Sequence, residues 1–473
     1  MIRLRPVARL CLLILLGGVG LAGAQSCSAP PAESGLSDAE KLYGFSLIWS
    51  EARYNFVYFD QVPEFDWDAA FKEYLPRVLQ SKSTFEYYRV LQHMFARLED
   101  GHTTVSPSPR LRSRVNVPPV ILDDIEGKAV VVAVSSRLVE RVPLGSEVLA
   151  VEGKDVETIL SESLLPYISA STEHHRRQRA IAGDSAAMSG LLLHGAGELI
   201  TVSLRSPDGS QDEVELKCDA WGRKDIDYVS VIPFTPVFPA VDANLSTRQL
   251  PGDVLYVYVN GFPQDAEGSF LKSFEKLKPE LRRAQGVILD FRRNTGGHTL
   301  LGLEMMGHFI DEEREVLTVR ARDHKSSYYA YAQNGGQYAD TYGKIDALFD
   351  ESVLKISPAE EERFLVPVAI LIDHRTFSAA EDTLIAVRGL KRFTLVGRTT
   401  GGSSGIPLRI ALPGGGNAGI CSARHEPIEG PGFIGRGISP DVYVEPTIES
   451  IAAGRDLVLE EGLRVLTAQI QDK

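Results

Sequence analysis

Residues 254–259, 286–291, 367–373 and 393–396 are apolar at nearly every position instead of at alternate ones. An unbroken run of this kind reads as a strand buried on both faces, because a strand facing water on one side alternates. Helical sequence falls between the runs, at 269–277 and again from about Ser378. Strands alternating with helices require a sheet covered on both sides, so the class expected from about residue 230 onward is α/β.

The chain before that core has two other textures. Ser37-Asp38-Ala39-Glu40 and Ser83-Thr84-Phe85-Glu86 are capping boxes, each opening a helix. Phe85, Tyr88, Leu91, Phe95 and Leu98 then recur at helical spacing and read as core. This helical region, 37–110, ends soon after Asp100-Gly101-His102-Thr103. Residues 111–222 are β-rich, with runs at 129–134 and 147–151 and a turn at Glu152-Gly153. No repeat and no low-complexity tract interrupts these regions.

At the N-terminus, Arg3, Arg5 and Arg9 lead into the apolar run 10–16 and then Gly/Ala-rich sequence. That pattern is an export signal over residues 1–26, with a run too short to span a membrane. Ala22-Gly23-Ala24 suits ordinary signal peptidase, while Ala24-Gln25-Ser26-Cys27 resembles a lipobox that would acylate Cys27. A polar linker, 27–36, follows. Net charge is −13, from 50 Lys+Arg against 63 Asp+Glu. Such a surface repels phosphate backbones, so nucleic acid is excluded as a partner. Cys218 and Cys421 could pair in an oxidising compartment, but nothing else suggests a disulfide framework, and they read as lone thiols. The ten histidines show no metal-ligand spacing, and His174-His175 would point apart on a helix; no metal and no cofactor are expected.

Three loops carry the residues suited to chemistry. His102 follows a helix-ending glycine and could act as a general base, although a lone surface histidine is the blander reading. Asp290-Phe291-Arg292-Arg293-Asn294-Thr295-Gly296-Gly297 runs from a buried strand into paired glycines, whose N–H groups can approach an oxyanion. Thr376-Phe377-Ser378-Ala379-Ala380-Glu381 places a serine at a helix N-terminus, beside free N–H groups and the positive dipole end. Ser378-x-x-Glu381 is equally a capping box. Gly401-Gly402-Ser403-Ser404-Gly405 matches the nucleophile-elbow pattern, but the residues after it, 406–412, read as strand instead of helix, so it is a glycine-rich loop.

Taken together, the order of these loops resembles the S41 peptidases, which include C-terminal processing peptidases and the tricorn core protease. Gly437-Ile438-Ser439-Pro440-Asp441 completes the series. Residues 143–153 resemble the matching stretch of PDZ domains. The resemblance implies a crotonase/ClpP-like α/β catalytic core over 223–473, an N-terminal helical region and an inserted PDZ-like β-rich domain. It also implies an exported serine endopeptidase acting on unfolded or tail-exposed polypeptide. In that family Ser378 would be the nucleophile, with Ala379 and Gly296 or Gly297 forming the oxyanion hole. Processing peptidases take their base from a lysine where this chain has Ser403, and Lys391 lies on a charged, solvated stretch. The tricorn-like branch uses a histidine, which makes His102 the base and His374 its rival. Tricorn has a serine just before that histidine, here Gly101, and an acid where residues 433–436 offer none. Glu381 or Glu429 is the expected substitute. The alternative is a non-catalytic or apolar-ligand-binding homologue of the same fold.

Overall fold

The computed structural model describes residues 35–471, apart from 185–186, 221–224, 233–243, 264–267 and 323–347. The expected export signal, Cys27 and most of the linker lie outside the described residues.

Helix α1 (Asp38–Asn55) opens on a reciprocal capping box. Glu40 N–H donates to Ser37 Oγ, and Ser37 N–H donates to the Glu40 carboxylate. Helix α2 (Trp67–Gln80) is capped by Asp66. Helix α3 (Thr84–Ala96) keeps only half of the expected box: Ser83 caps Glu86 N–H, but the Glu86 carboxylate accepts from Lys82 N–H. Tyr88, Leu91, Phe95 and Leu98 are buried as expected, whereas Phe85 is 40% exposed. At about 100° per residue, Phe85 lies about 100° off the axis of the later apolar residues, and Thr84 falls on that axis instead. Thr84 is buried.

The helical region is not a separate body. Strand β1 (Thr104–Ser106) pairs antiparallel with β16 (Asn417–Cys421), which also pairs with β15 (Pro407–Ala411). One apolar cluster accordingly joins Phe45, Tyr88, Leu91 and Phe95 to Ile410, Leu412 and Ile420.

The β-rich region is an antiparallel sheet. Its strands are β2 (Val120–Ile125), β3 (Lys128–Ser135), β4 (Glu147–Val151), β5 (Leu199–Arg205) and β6 (Gln211–Lys217). It extends past residue 222, because β7 (Tyr228–Ser230) pairs with β3. Helix α4 (Glu173–Ala182) packs on this region, capped by Thr172.

The central sheet has the order β8-β9-β10-β13-β14-β18. These strands are Leu245–Leu250, Val254–Val259, Gly286–Asp290, Val368–Ile372, Phe393–Gly397 and Val442–Tyr443. The β8 edge is antiparallel and the remaining neighbours are parallel. Strands β9, β10, β13 and β14 are buried at every residue. One face packs against α5 (Ser269–Glu275), α6 (Thr299–Gly307) and α7 (Ala379–Val387), through Phe270, Leu303 and Leu384. The other packs against α8 (Leu457–Gln471), through Val458 and Leu466. Two further strands, β11 (Arg314–Arg322) and β12 (Leu348–Ile356), pair with each other, and β11 also pairs with β17 (Ala423–Pro427).

Parallel register decides where the loops go. Asp290 lies opposite Leu371, and Ile372 opposite Gly397. The loops leaving β10, β13 and β14 therefore emerge at one end of the sheet, the end where open α/β sheets bind ligands. Among the described residues no helix is long and apolar enough to cross a membrane.

Candidate active site

The three loops at that end are tied to one another by backbone. Phe377 N–H donates to Asn294 O at 3.0 Å, Gly401 N–H to Thr376 O at 2.9 Å, and Ser378 N–H to Ser403 O at 3.0 Å. Ser378 is held at φ 59°, a left-handed conformation that costs a non-glycine residue energy and that functional sites often store. Its neighbour Gly296 has φ 90°, and a Cβ there would lie 2.7 Å from Ala379 N, Phe377 O and Ser378 Cβ. Only glycine lets the two loops meet.

His102 reaches this point from outside the sheet, on the turn between α3 and β1. Its Nε2 lies 2.8 Å from Ser378 Oγ, and its Nδ1 lies 2.8 Å from Ser403 Oγ. Ser403 in turn donates to Asp100 Oδ1 at 3.2 Å. Asp100 is buried, and its other oxygen accepts from Thr103 Oγ1 at 2.6 Å. With Nδ1 donating to Ser403 and Ser403 donating to Asp100, Nε2 carries the free lone pair and faces the serine. Burial holds the imidazole below the ordinary histidine value, opposed by the charge of Asp100. At neutral pH the ring is the neutral acceptor that proton abstraction requires.

The N–H groups beside Ser378 are differently engaged. Gly296 N–H donates to Asn294 Oδ1 at 2.9 Å. Ala379 N–H, the first of α7, and Gly297 N–H have no partner among the described residues. Gly297 itself could be nothing else, since a Cβ would fall 1.7 Å from Phe262 O. Of the two glycines, Gly296 supplies room and Gly297 the unengaged donor.

The two expected supporting acids behave otherwise than expected. Glu429 is a surface residue whose side chain is 80% exposed and pairs with Arg314 at 3.5 Å. Among the described residues it makes no hydrogen bond or ion pair with His102. That expectation is corrected. Glu381 is buried but does not touch the imidazole either. Its carboxyl accepts from Gly402 N–H at 2.8 Å, Ser403 N–H at 3.0 Å and Ser378 N–H at 3.2 Å, and bonds Thr400 Oγ1. Burial pushes this carboxyl up to about 8, against the pull of those donors. Glu381 therefore shapes the loop that presents Ser403, while the acid that reaches His102 is Asp100. Sequence reasoning had both residues in view without joining them: Asp100 in the motif of His102, and Ser403 at the place of a missing lysine.

Other expectations fall as follows. His374 donates from Nδ1 to Thr399 O at 2.8 Å and is held at about 4 by burial and Arg398, so it is not placed to serve Ser378. Lys391 is exposed. Cys218 and Cys421 are free and buried. His174 and His175 do not part company: His174 bonds Thr400 O and His175 bonds His374 O, both in the loops around Ser378. The glycine-rich loop 401–405 does lead into a strand, β15, and its serine lies in the site. Among the described residues no group of three or more His, Cys, Asp or Glu side chains could hold a metal.

A part-buried serine–histidine pair at one end of an α/β sheet defines a recognisable class. Residues 253–444 match peptidase family S41, and residues 37–96 match the tricorn protease C1 domain. The match to peptidase family S41 spans strands β9 to β18 and the loop that carries Ser378. The chain is 26% identical over 239 residues to a carboxyl-terminal-processing protease of Picosynechococcus sp., covering 50% of this chain and 49% of that protein. It is 22% identical over 297 residues to the carboxy-terminal processing protease CtpA of Bacillus subtilis, covering 62% and 55%. The chain thus spans about half the length of these curated relatives. In fold it is similar to mature CPAF, with a TM-score of 0.68 and 14% identity over 92% of this chain and 98% of that one. CPAF complexed with lactacystin gives 0.64, again at 14% identity, over 92% and 99%.

Proposed function

We propose that the protein is an exported serine endopeptidase that cuts unfolded or tail-exposed polypeptides through an acyl-enzyme. The observation that carries this reading is the 2.8 Å contact of His102 Nε2 with Ser378 Oγ, with Nδ1 anchored through Ser403 to buried Asp100. His102 takes the Ser378 proton as Oγ attacks the scissile carbonyl. The imidazolium is stabilised by Asp100 across the Ser403 hydroxyl, and then protonates the leaving amine. Ala379 N–H and Gly297 N–H are assigned to the oxyanion, with the positive end of α7 behind them. Water, activated by the same histidine, releases the acyl group.

The β-rich region, 111–222, is assigned to capture or gate the substrate chain. Export rests on the basic start and apolar run within residues 1–26; palmitate labelling of wild type and Cys27→Ala reads whether Cys27 then takes lipid. The peptidase reading is tested with an unfolded fluorescent polypeptide and a small panel of esters. Wild type is expected to fragment the polypeptide and Ser378→Ala to leave it intact while melting at the same temperature. Ester turnover without peptide cleavage would make it a different acyl hydrolase.

A further inference from the structure

Hydrogen bonds at two nitrogens leave an imidazole free to tilt about the line that joins them. In this protein the ring faces remove that freedom. His102 lies flat against Phe377, with centroids 4.8 Å apart and planes 14° from parallel. His175 is stacked on the same Phe377 ring, at 4.9 Å and 6°. Three rings are thus stacked, with the residue preceding Ser378 in the middle.

The neighbouring sequence is fitted to the stack. A Cβ at Gly101 would lie 2.7 Å from the Phe377 ring, and one at Gly401 would lie 2.9 Å from both that ring and His175 Nδ1. The absence of a side chain before His102 is therefore a requirement of the stack, and Ser403 contributes the hydroxyl from another loop. His175 is itself pinned, its Nδ1 donating to His374 O at 2.6 Å. Burial holds it at about 3, so it stays neutral and does not repel a cation formed at His102.

We propose that Phe377 and His175 are positioning residues for His102: Phe377 fixes the plane of the imidazole, and His175, carried by α4, holds Phe377 in place. The face of an aromatic ring is electronegative, so the same contact favours the imidazolium as it forms. This inference rests on the reading of Ser378 and His102 as nucleophile and base. The charged and titratable groups that face His102 are Asp100, Asp382, His425 and Arg179, and the substitutions below leave all four in place.

The test separates the ring of His175 from its hydrogen bond. His175→Phe keeps the flat ring and loses the donor; His175→Asn keeps a donor for the His374 carbonyl and loses the ring. Fluorophosphonate labelling rates of the purified protein are compared at neutral pH, with thermal melts to match the folded fraction. The expected result is near-wild-type labelling for His175→Phe and about tenfold slower labelling for His175→Asn. Phe377→Leu is expected to follow His175→Asn, and Phe377→Tyr to follow wild type. Wild-type rates in His175→Asn, or equal losses in His175→Phe and His175→Asn, would overturn the positioning role. A wild-type protein that does not label would instead remove the reading on which it rests.

Discussion

The most exposed part of the mechanism is the acid. Asp100 does not touch His102; it acts through a serine hydroxyl that bonds both. The carboxylate and the imidazolium are therefore no more than about 6 Å apart across the two bonds, and at an effective dielectric of about 20 that separation is worth roughly 3 kcal/mol. Asp100→Asn removes the charge with little change in shape, so kcat/KM is expected to fall roughly a hundredfold. The amide can also donate to Ser403 and reverse the hydroxyl, which would turn the imidazole to the wrong tautomer and deepen the loss. Ser403→Ala should produce a loss of similar order by a different route, breaking the chain without removing the charge. Because the two residues act in series, the double variant should be little worse than either single one. The assay is steady-state peptide hydrolysis, paired with denaturant melts to exclude unfolding. An Asp100→Asn enzyme within about threefold of wild type, or full additivity in the cycle, would refute the relay.

Three further outcomes follow from the same geometry. Gly101→Ser puts its Cβ against a ring stacked with two others, and should cost about 1–3 kcal/mol of unfolding free energy in denaturant melts and slow labelling as the stack is forced apart. Glu381→Ala strands the buried N–H groups of Gly402 and Ser403, which predicts a loss of about 3 kcal/mol in chemical denaturation, together with activity, because Ser403 is no longer presented. The lowered value of His102 predicts an acid limb of the pH–rate profile below the ordinary histidine value of about 6.5. As pH falls through the window between those two values, the unfolded chain binds a proton that the fold refuses. Stability is therefore lost across that window, and His102→Gln should lose less of it in urea melts.

Each chemistry-bearing loop was legible because its signal is local. A run of buried residues ending in glycines, or a serine entering a helix, can be read from neighbours in sequence. The four fully buried strands, and the loops at their ends, follow from the same kind of pattern. What joins the loops is not local. Ser403 and Asp100 are 303 positions apart, and they meet only because parallel register places residue 403 at the same sheet end that β1 brings to His102. Spacing carries no trace of that encounter. The meaning of Gly101 was hidden for the same reason, since the ring that excludes a side chain there belongs to Phe377. Glu429 was eligible by its position near the last motif, but its side chain is exposed and pairs with Arg314. Phe85 was misplaced by a subtler effect, the drift of a three-residue spacing around the helix. Strand β7 lies beyond the expected limit of the β-rich region because a three-residue edge strand has too little pattern to announce itself.

The central claim is that Ser378 is a nucleophile activated by His102. Mass-spectrometric mapping of a fluorophosphonate adduct on the purified protein tests it directly. The account predicts a single adduct, on the peptide containing Ser378, which disappears in Ser378→Ala and falls sharply in His102→Ala. An adduct on another residue, or undiminished labelling of Ser378 in His102→Ala, would contradict it.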